Sequence, residues 1–315
     1  MRKRRVHVAV LALVLSVLLL AVGCGGGGGG GSTGTPSGGG ESKPAEKPKI
    51  VVGAKGFTEQ LIVGNIAAAL LKDAGYPVEL KDLGGTGVVH QALVSGEVQT
   101  YVEYTGTGLL AILKLPVMND PDQVYEKVKE EYKNKWDLVW LKPWGFNDTY
   151  CITIRKEDAD KLGIKTISDL KSHASNMVFG TTTEFVNRPD GLPGMEKAYG
   201  FKFKSVKSMD AGLMYEAVAQ KQVDAISAFS TDGRIPALNL VNLVDDKGFF
   251  PPYYAAPVVR GDLLQKAPEV ADILNKLAGV IDDNTMANLN MQVDKEKKDA
   301  AEVATTFLKS KGLIK

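Results

Sequence analysis

Four aromatic residues, Tyr104, Tyr150, Phe229 and Tyr253, stand where extended apolar segments meet turn-forming residues, and two cations, Lys55 and Arg188, follow strand-like segments of their own. A quaternary ammonium has no N–H to donate, so hydrogen bonds cannot recognise it. Ring faces can hold its diffuse charge, at about 2 kcal/mol for each desolvated contact. The two cations suit the opposite end of a zwitterion, Arg as a bidentate fork on a carboxylate and Lys as a point charge. Taken singly, each ring also reads as a core or surface aromatic and each cation as solvated charge. Glu184, four residues before Arg188, could pair with it along a helix.

What raises these residues above that plain reading is an internal echo. The segment Ala92–Thr107, "ALVSGEVQTYVEYTGT", aligns without a gap on Ala217–Asp232, "AVAQKQVDAISAFSTD", and sets Tyr104 opposite Phe229. Likewise "IVVGAKGFTE" matches "MVFGTTTEF", with Gly53 opposite Gly180 and Lys55 opposite Thr182. The chain therefore reads as two lobes on one plan, each with an aromatic at the carboxyl end of a strand, where open α/β sheets bind their ligands.

The elements that must position these residues follow from the alternation of short apolar runs with helical periodicity, which predicts α/β with mostly parallel strands. "KIVVGA" reads as a buried strand. Thr58 is expected to cap the next helix, with Leu61, Ile62, Ile66, Ala69 and Leu70 on its core face and Gly75 at its end, and "VELKDL" gives a second strand. Thr166 and Asp169 form a capping box that starts a helix. "WGFNDTYCITIR" and "FFPPYYAAPVVR" read as the two crossings between lobes, and three helical segments, near 268–278, 283–293 and 295–311, close the chain. The lobes are placed at 49–146 with 257–315, and at 147–256.

Catalysis is not indicated. "GGTGVVH" carries His90 where a dinucleotide loop needs its third glycine, and neither a P-loop nor G-x-S-x-G is present. His90 and His173 have no metal-ligand spacing around them. Cys151 lies in an apolar strand with no histidine beside it, as a buried inert thiol does. No cofactor and no metal are expected.

The N-terminus has the plan of an export signal over residues 1–23: basic residues Arg2, Lys3, Arg4 and Arg5, then the apolar run Val8–Val22, shorter than the roughly 18–20 residues of a membrane span. Of 38 Lys+Arg, removal of those four leaves 34 against 37 Asp+Glu, a net −3, which argues against nucleic acid as partner. Residues 24–48 read as a tether: eleven of the sixteen residues Gly25–Gly40 are glycine, and about 25 flexible residues reach roughly 25–30 Å.

At "VGAKGFTEQ", "EYTGTGL", "WGFNDTYCITIR", "TEFVNRPDGLPGMEKAYG", "STDGRI", "DDKGFFPPYYAAPVVR" and "MANLN" the sequence resembles the glycine betaine/choline-binding lipoproteins of ABC-type osmoprotectant importers, over nearly all of Lys49–Lys315. "AVGC" resembles their lipobox, which implies acylation of Cys24 and anchoring to the extracytoplasmic face of the cell membrane. The resemblance implies a two-lobed periplasmic-binding-protein fold of type II, hinged, with the ligand in the inter-lobe cleft of a monomer that delivers to an ABC permease. It places the aromatic cage on Tyr104, Tyr150, Phe229 and Tyr253, the carboxylate contacts on Lys55, Thr107 and Arg188, and a backbone contact on Asp148. Phe229 departs from the tyrosine common there, which puts in doubt a hydrogen bond that would lock the cage. Choline or carnitine as ligand, or a sensing domain without a transporter, remain the alternatives.

Overall fold

The computed structural model describes residues 47–315; the segment expected to be a signal peptide, Cys24 and nearly all of the expected tether lie outside them. Among the described residues ten strands form two sheets of five. The first holds β1 (Ile50–Ala54), β2 (Val78–Asp82), β3 (Thr100–Tyr104), β4 (Leu138–Trp140) and β10 (Ala255–Arg260), in the order β2-β1-β3-β10-β4. The second holds β5 (Tyr150–Arg155), β6 (Val178–Thr181), β7 (Ser205–Ser208), β8 (Ala225–Phe229) and β9 (Leu240–Asn242), in the order β7-β6-β8-β5-β9. The two orders are the same plan, and the echo in sequence is its trace: Gly53 pairs with Tyr101 in the first sheet as Gly180 pairs with Ile226 in the second. The fold is a two-lobed α/β architecture with helices around both sheets.

The sheets are mixed rather than mostly parallel. In each, the first three strands pair in parallel, but β10 lies antiparallel between β3 and β4, and β5 lies antiparallel between β8 and β9. The reason is connectivity. Each of these two strands arrives from the other lobe, through residues 141–149 or 243–254, and enters beside the sheet's third strand with no helix to reverse its direction. The two passages meet at a bridge between Asn147 and Tyr254.

Local sequence explains the elements that flank the cleft. In the helix Thr58–Asp73, Ile62, Val63, Ile66 and Leu70 recur at helical spacing and are buried, each Ile or Leu contributing about 1.5–3 kcal/mol. That face packs on the final helix, Ala300–Ser310, whose Val303 and Phe307 are also buried. Leu61 and Ala69 are only half-buried, at its edges. Thr58 does not cap this helix. Phe57 holds the cap position without a side-chain hydrogen bond, and the Thr58 hydroxyl donates to Asp294 at 2.6 Å. Thr166 and Asp169 do form the reciprocal box, at 3.2 and 2.9 Å, yet it opens the 3₁₀ turn Ser168–Ser172 rather than an α-helix. The last helix starts at Ala300, later than its periodicity suggests, because Asp299 accepts from the Ala301 and Glu302 N–H groups and fixes its start.

Candidate functional site

The carboxyl ends of β1, β3, β6 and β8 converge on a cavity of about 560 Å³, within the range of small-molecule sites. Tyr104, Tyr150, Phe229, Tyr253, Lys55, Thr107, Arg188 and Asp148 all line it. Residues as far apart in the chain as Lys55 and Tyr253 thus share one wall because both lobes end their strands there.

The rings form a continuous surface. Phe229 stacks on Phe57 at 5.4 Å between centroids and 6° between planes, and Phe57 lies 6.4 Å from Tyr104. On the other side, Tyr150 lies 5.2 Å from Phe229 and meets Tyr253 edge-on at 5.6 Å. Phe57 is the ring that sequence reading missed. Its counterpart in the echo is Glu184, so symmetry between the lobes gave no signal there; its place two residues past Lys55 at a strand end was the available clue.

Two of the rings are pinned by their hydroxyls: Tyr104 donates to Glu59 at 2.7 Å and Tyr253 to Asp190 at 2.5 Å. Burial pushes the Tyr104 and Tyr253 hydroxyls well above the ordinary phenol range, so they remain neutral donors. Phe229 has no hydroxyl to pin. Its backbone N–H donates instead to the Tyr215 hydroxyl at 3.1 Å, and the Phe57 ring covers it. Gly106 lets Tyr253 approach, since a Cβ there would stand 2.7 Å from the ring and 2.8 Å from the Pro252 carbonyl oxygen.

The cations are more heavily paired than their sequence context suggested. Lys55 donates to Glu103 at 2.5 Å, both fully or nearly buried, and its Nζ lies 5.0 Å from the centre of the Tyr104 ring. Arg188 grips Asp190 through Nε at 2.9 Å and Nη2 at 2.5 Å, and reaches Glu184 through Nη1 at 3.1 Å. The helical pair with Glu184 is therefore present, and the guanidinium is buried as well. Its Nη2 also donates to the Thr107 hydroxyl at 3.3 Å, joining elements of the two sheets. Two cations thus stand beside three carboxylates, and what the site offers an anion is oriented donors rather than surplus positive charge. Asp148 donates its backbone N–H to the Tyr253 carbonyl at 3.2 Å, and its side chain faces Thr231 at 2.8 Å.

Burial pushes the Cys151 thiol up to about 12, so almost none of it is thiolate at neutral pH. His90 lies away in the first lobe, edge-on to Tyr132 and Trp136, and burial pushes it down to about 4. Among the described residues no cluster of three metal-ligating side chains occurs.

A family profile described as the substrate-binding domain of an ABC-type glycine betaine transport system matches residues 48–310. An ergothioneine transport permease/ergothioneine binding protein of Helicobacter pylori is 42% identical over 85% of this chain and 48% of that protein, so the chain spans about half its length. A carnitine transport binding protein of Listeria monocytogenes is 37% identical over 84% of this chain and 87% of that one. Among solved structures, a glycine betaine/carnitine/choline ABC transporter crystal structure superposes with a TM-score of 0.70 at 34% identity, covering 84% of this chain and 99% of that chain.

Proposed function

The chain belongs to the family of substrate-binding domains of ABC-type glycine betaine transport systems, and from that premise we propose that it captures a betaine, a trimethylammonium joined to a carboxylate, and presents it to an ABC permease outside the cytoplasm. The observation that carries this reading is one cavity in which five aromatic rings face the oriented donors of Arg188 and Thr107. Tyr104, Phe57, Phe229, Tyr150 and Tyr253 would hold the ammonium head by cation–π attraction. Arg188 and Thr107 would receive the carboxylate, with Lys55 completing the donors and Asp148 contributing from its backbone. The two lobes, 49–146 with 257–315 and 147–256, would close on the ligand about the paired passages near Asn147 and Tyr254.

The cavity volume favours a second reading of the ligand. A cavity of about 560 Å³ leaves room beyond a ligand the size of glycine betaine. A larger betaine such as carnitine or ergothioneine, named for the relatives above, would fill it better. The test is a calorimetric titration of the domain 49–315 with glycine betaine, carnitine, ergothioneine and choline. At least one zwitterion is expected to bind tenfold or more tightly than choline, a difference of about 1.4 kcal/mol. Choline binding as tightly as every zwitterion would overturn the carboxylate half of the site.

The anchor is proposed on "AVGC" alone: an acylated Cys24 would hold the folded part to the membrane through residues 25–48. Cys24→Ser is expected to move the protein from the membrane pellet to the soluble extracytoplasmic fraction with ligand affinity unchanged. Membrane retention of the Ser variant counts against the lipid.

A further inference from the structure

Behind the cage, where the two lobes touch, a buried carboxyl pair has too few hydrogens. The Thr231 hydroxyl lies 2.5 Å from Glu59 Oε2 and 2.8 Å from Asp148 Oδ1, and all three residues are buried. A hydroxyl carries one hydrogen and can donate it to only one carboxylate. With both acids ionised, the other contact would set two oxygens against each other with no proton between them. One carboxyl must therefore donate to the Thr231 oxygen. Donors decide which. Glu59 already accepts from the Tyr104 hydroxyl at 2.7 Å and from Asn290 Nδ2 at 2.9 Å, which suits an anion. Asp148 has no such donors beyond Thr231, whose N–H is a distant 3.5 Å away. The chain of bonds runs from the Asp148 O–H to the Thr231 oxygen, and from the Thr231 O–H to Glu59.

We infer that closing the lobes over a ligand takes up one proton from solvent, which Asp148 holds and which Thr231 uses to latch lobe two onto Glu59 and so to the hydroxyl of the cage ring Tyr104. This rests on the betaine reading only for the trigger; the proton itself follows from the seam. Glu59 belongs to the helix Thr58–Asp73 of the first lobe, whereas Asp148 and Thr231 flank strands of the second. Opening the seam separates the two acids and returns both to water, where each ionises in the ordinary carboxylate range.

The electrostatics of the seam agree. Burial raises both carboxyls, and the Glu59 charge raises Asp148 further. The other charged groups facing them do not supply a spare cation. Asp232 pairs with Arg234 at 2.5 Å, and the same Arg234 reaches Asp294 across the seam at 3.3 Å. Burial raises Asp294 too, against the pull of Thr58 and Arg234. Lys55 sits against the Tyr104 ring and is committed to Glu103.

The sign of the linkage is fixed. A carboxyl whose closed-state value lies above its open-state value favours closure most at low pH, and that advantage is lost as pH rises through the closed-state value. Ligand affinity should fall by up to about tenfold per pH unit above the ordinary carboxylate range and then level off.

The experiment titrates the full mature chain with the tightest of glycine betaine, carnitine and ergothioneine at pH 6 and 7, in buffers of different ionisation enthalpy. The heat itself reports the ligand reading; its dependence on buffer counts protons, so the two can fail separately. Uptake of about one proton per ligand is expected, falling to near zero in Asp148→Asn, whose amide N–H can donate to Thr231 in place of the acid. Thr231→Val keeps both buried acids and removes the hydroxyl that favours their charged forms, so it should still take up the proton while binding more weakly at both pH values. Binding by the wild type with no buffer dependence at either pH overturns the proposal, as does an Asp148→Asn chain that still takes up the proton.

Discussion

Alanine in place of Arg188 is expected to weaken binding of a carboxylate-bearing betaine by about 1.5–3 kcal/mol, roughly ten- to a hundredfold in Kd, while choline binding moves much less. The two ligands share their cationic head, so the rings cannot separate them. The difference must arise where Arg188 Nη2 and the Thr107 hydroxyl meet at 3.3 Å, the place from which charge-assisted bonds to a carboxylate would come. Simple repulsion of choline by surplus cations is a weaker account, because Glu103, Asp190 and Glu184 stand beside Lys55 and Arg188. Removing Arg188 also strips Asp190, which is fully buried, of its cationic partner and leaves it the Tyr253 hydroxyl. Arg188→Ala combined with Asp190→Asn separates these effects. It should regain thermal stability without regaining the preference for betaine over choline. A double variant that recovers both would make Arg188 a prop for Asp190 and Tyr253 rather than a ligand contact.

The parts of this protein that sequence could carry are those encoded by repetition and by position at strand ends. Tyr104 and Phe229 announced the third strand of each sheet because the chain uses one plan twice, and Gly53 and Gly180 did the same for the strand beside it. What escaped was set by contacts between segments that share no pattern. Phe57 caps a helix in one lobe and stacks on Phe229 of the other, and nothing in "AKGFTE" says which ring will cover it. Thr58 looks like a cap by type, yet Asp294, from a helix near the end of the chain, takes its hydroxyl. The antiparallel strands β5 and β10 follow from where the chain re-enters each lobe, which is a property of the whole topology and not of any window along it. Charge was the least legible of all. Lys55 and Glu103 are 48 positions apart, and Arg188 meets Asp190 only because its side chain folds back on its own turn.

That hidden pairing sets up the largest expected loss of stability. Lys55→Met keeps the length and much of the shape of the side chain but leaves Glu103, with a fully buried side chain, without its cation. The Tyr101 hydroxyl at 3.0 Å and the Tyr104 N–H at 2.7 Å would be its remaining partners. Breaking one side of a buried ion pair typically costs about 3–5 kcal/mol, whereas replacing both sides together is often close to neutral. Lys55→Met should therefore lower Tm by on the order of 10 °C, and Lys55→Met with Glu103→Gln should recover most of it, since the amide oxygen can still accept from the Tyr104 N–H while the amide N–H donates to the Tyr101 hydroxyl oxygen. The recovered double variant then isolates the role of Lys55 at the ligand. Glu103 sits at the end of β3, directly before Tyr104, whose ring lines the cavity, so the ion pair holds in place the turn from which that ring projects. If the stable double variant binds betaine within a few fold of wild type, Lys55 acts through that turn; if it loses tenfold or more, the ammonium also touches the carboxylate. A single variant as stable as wild type would show that Glu103 does not depend on Lys55, and would remove the ion pair from the account of how the aromatic wall of the cavity is built.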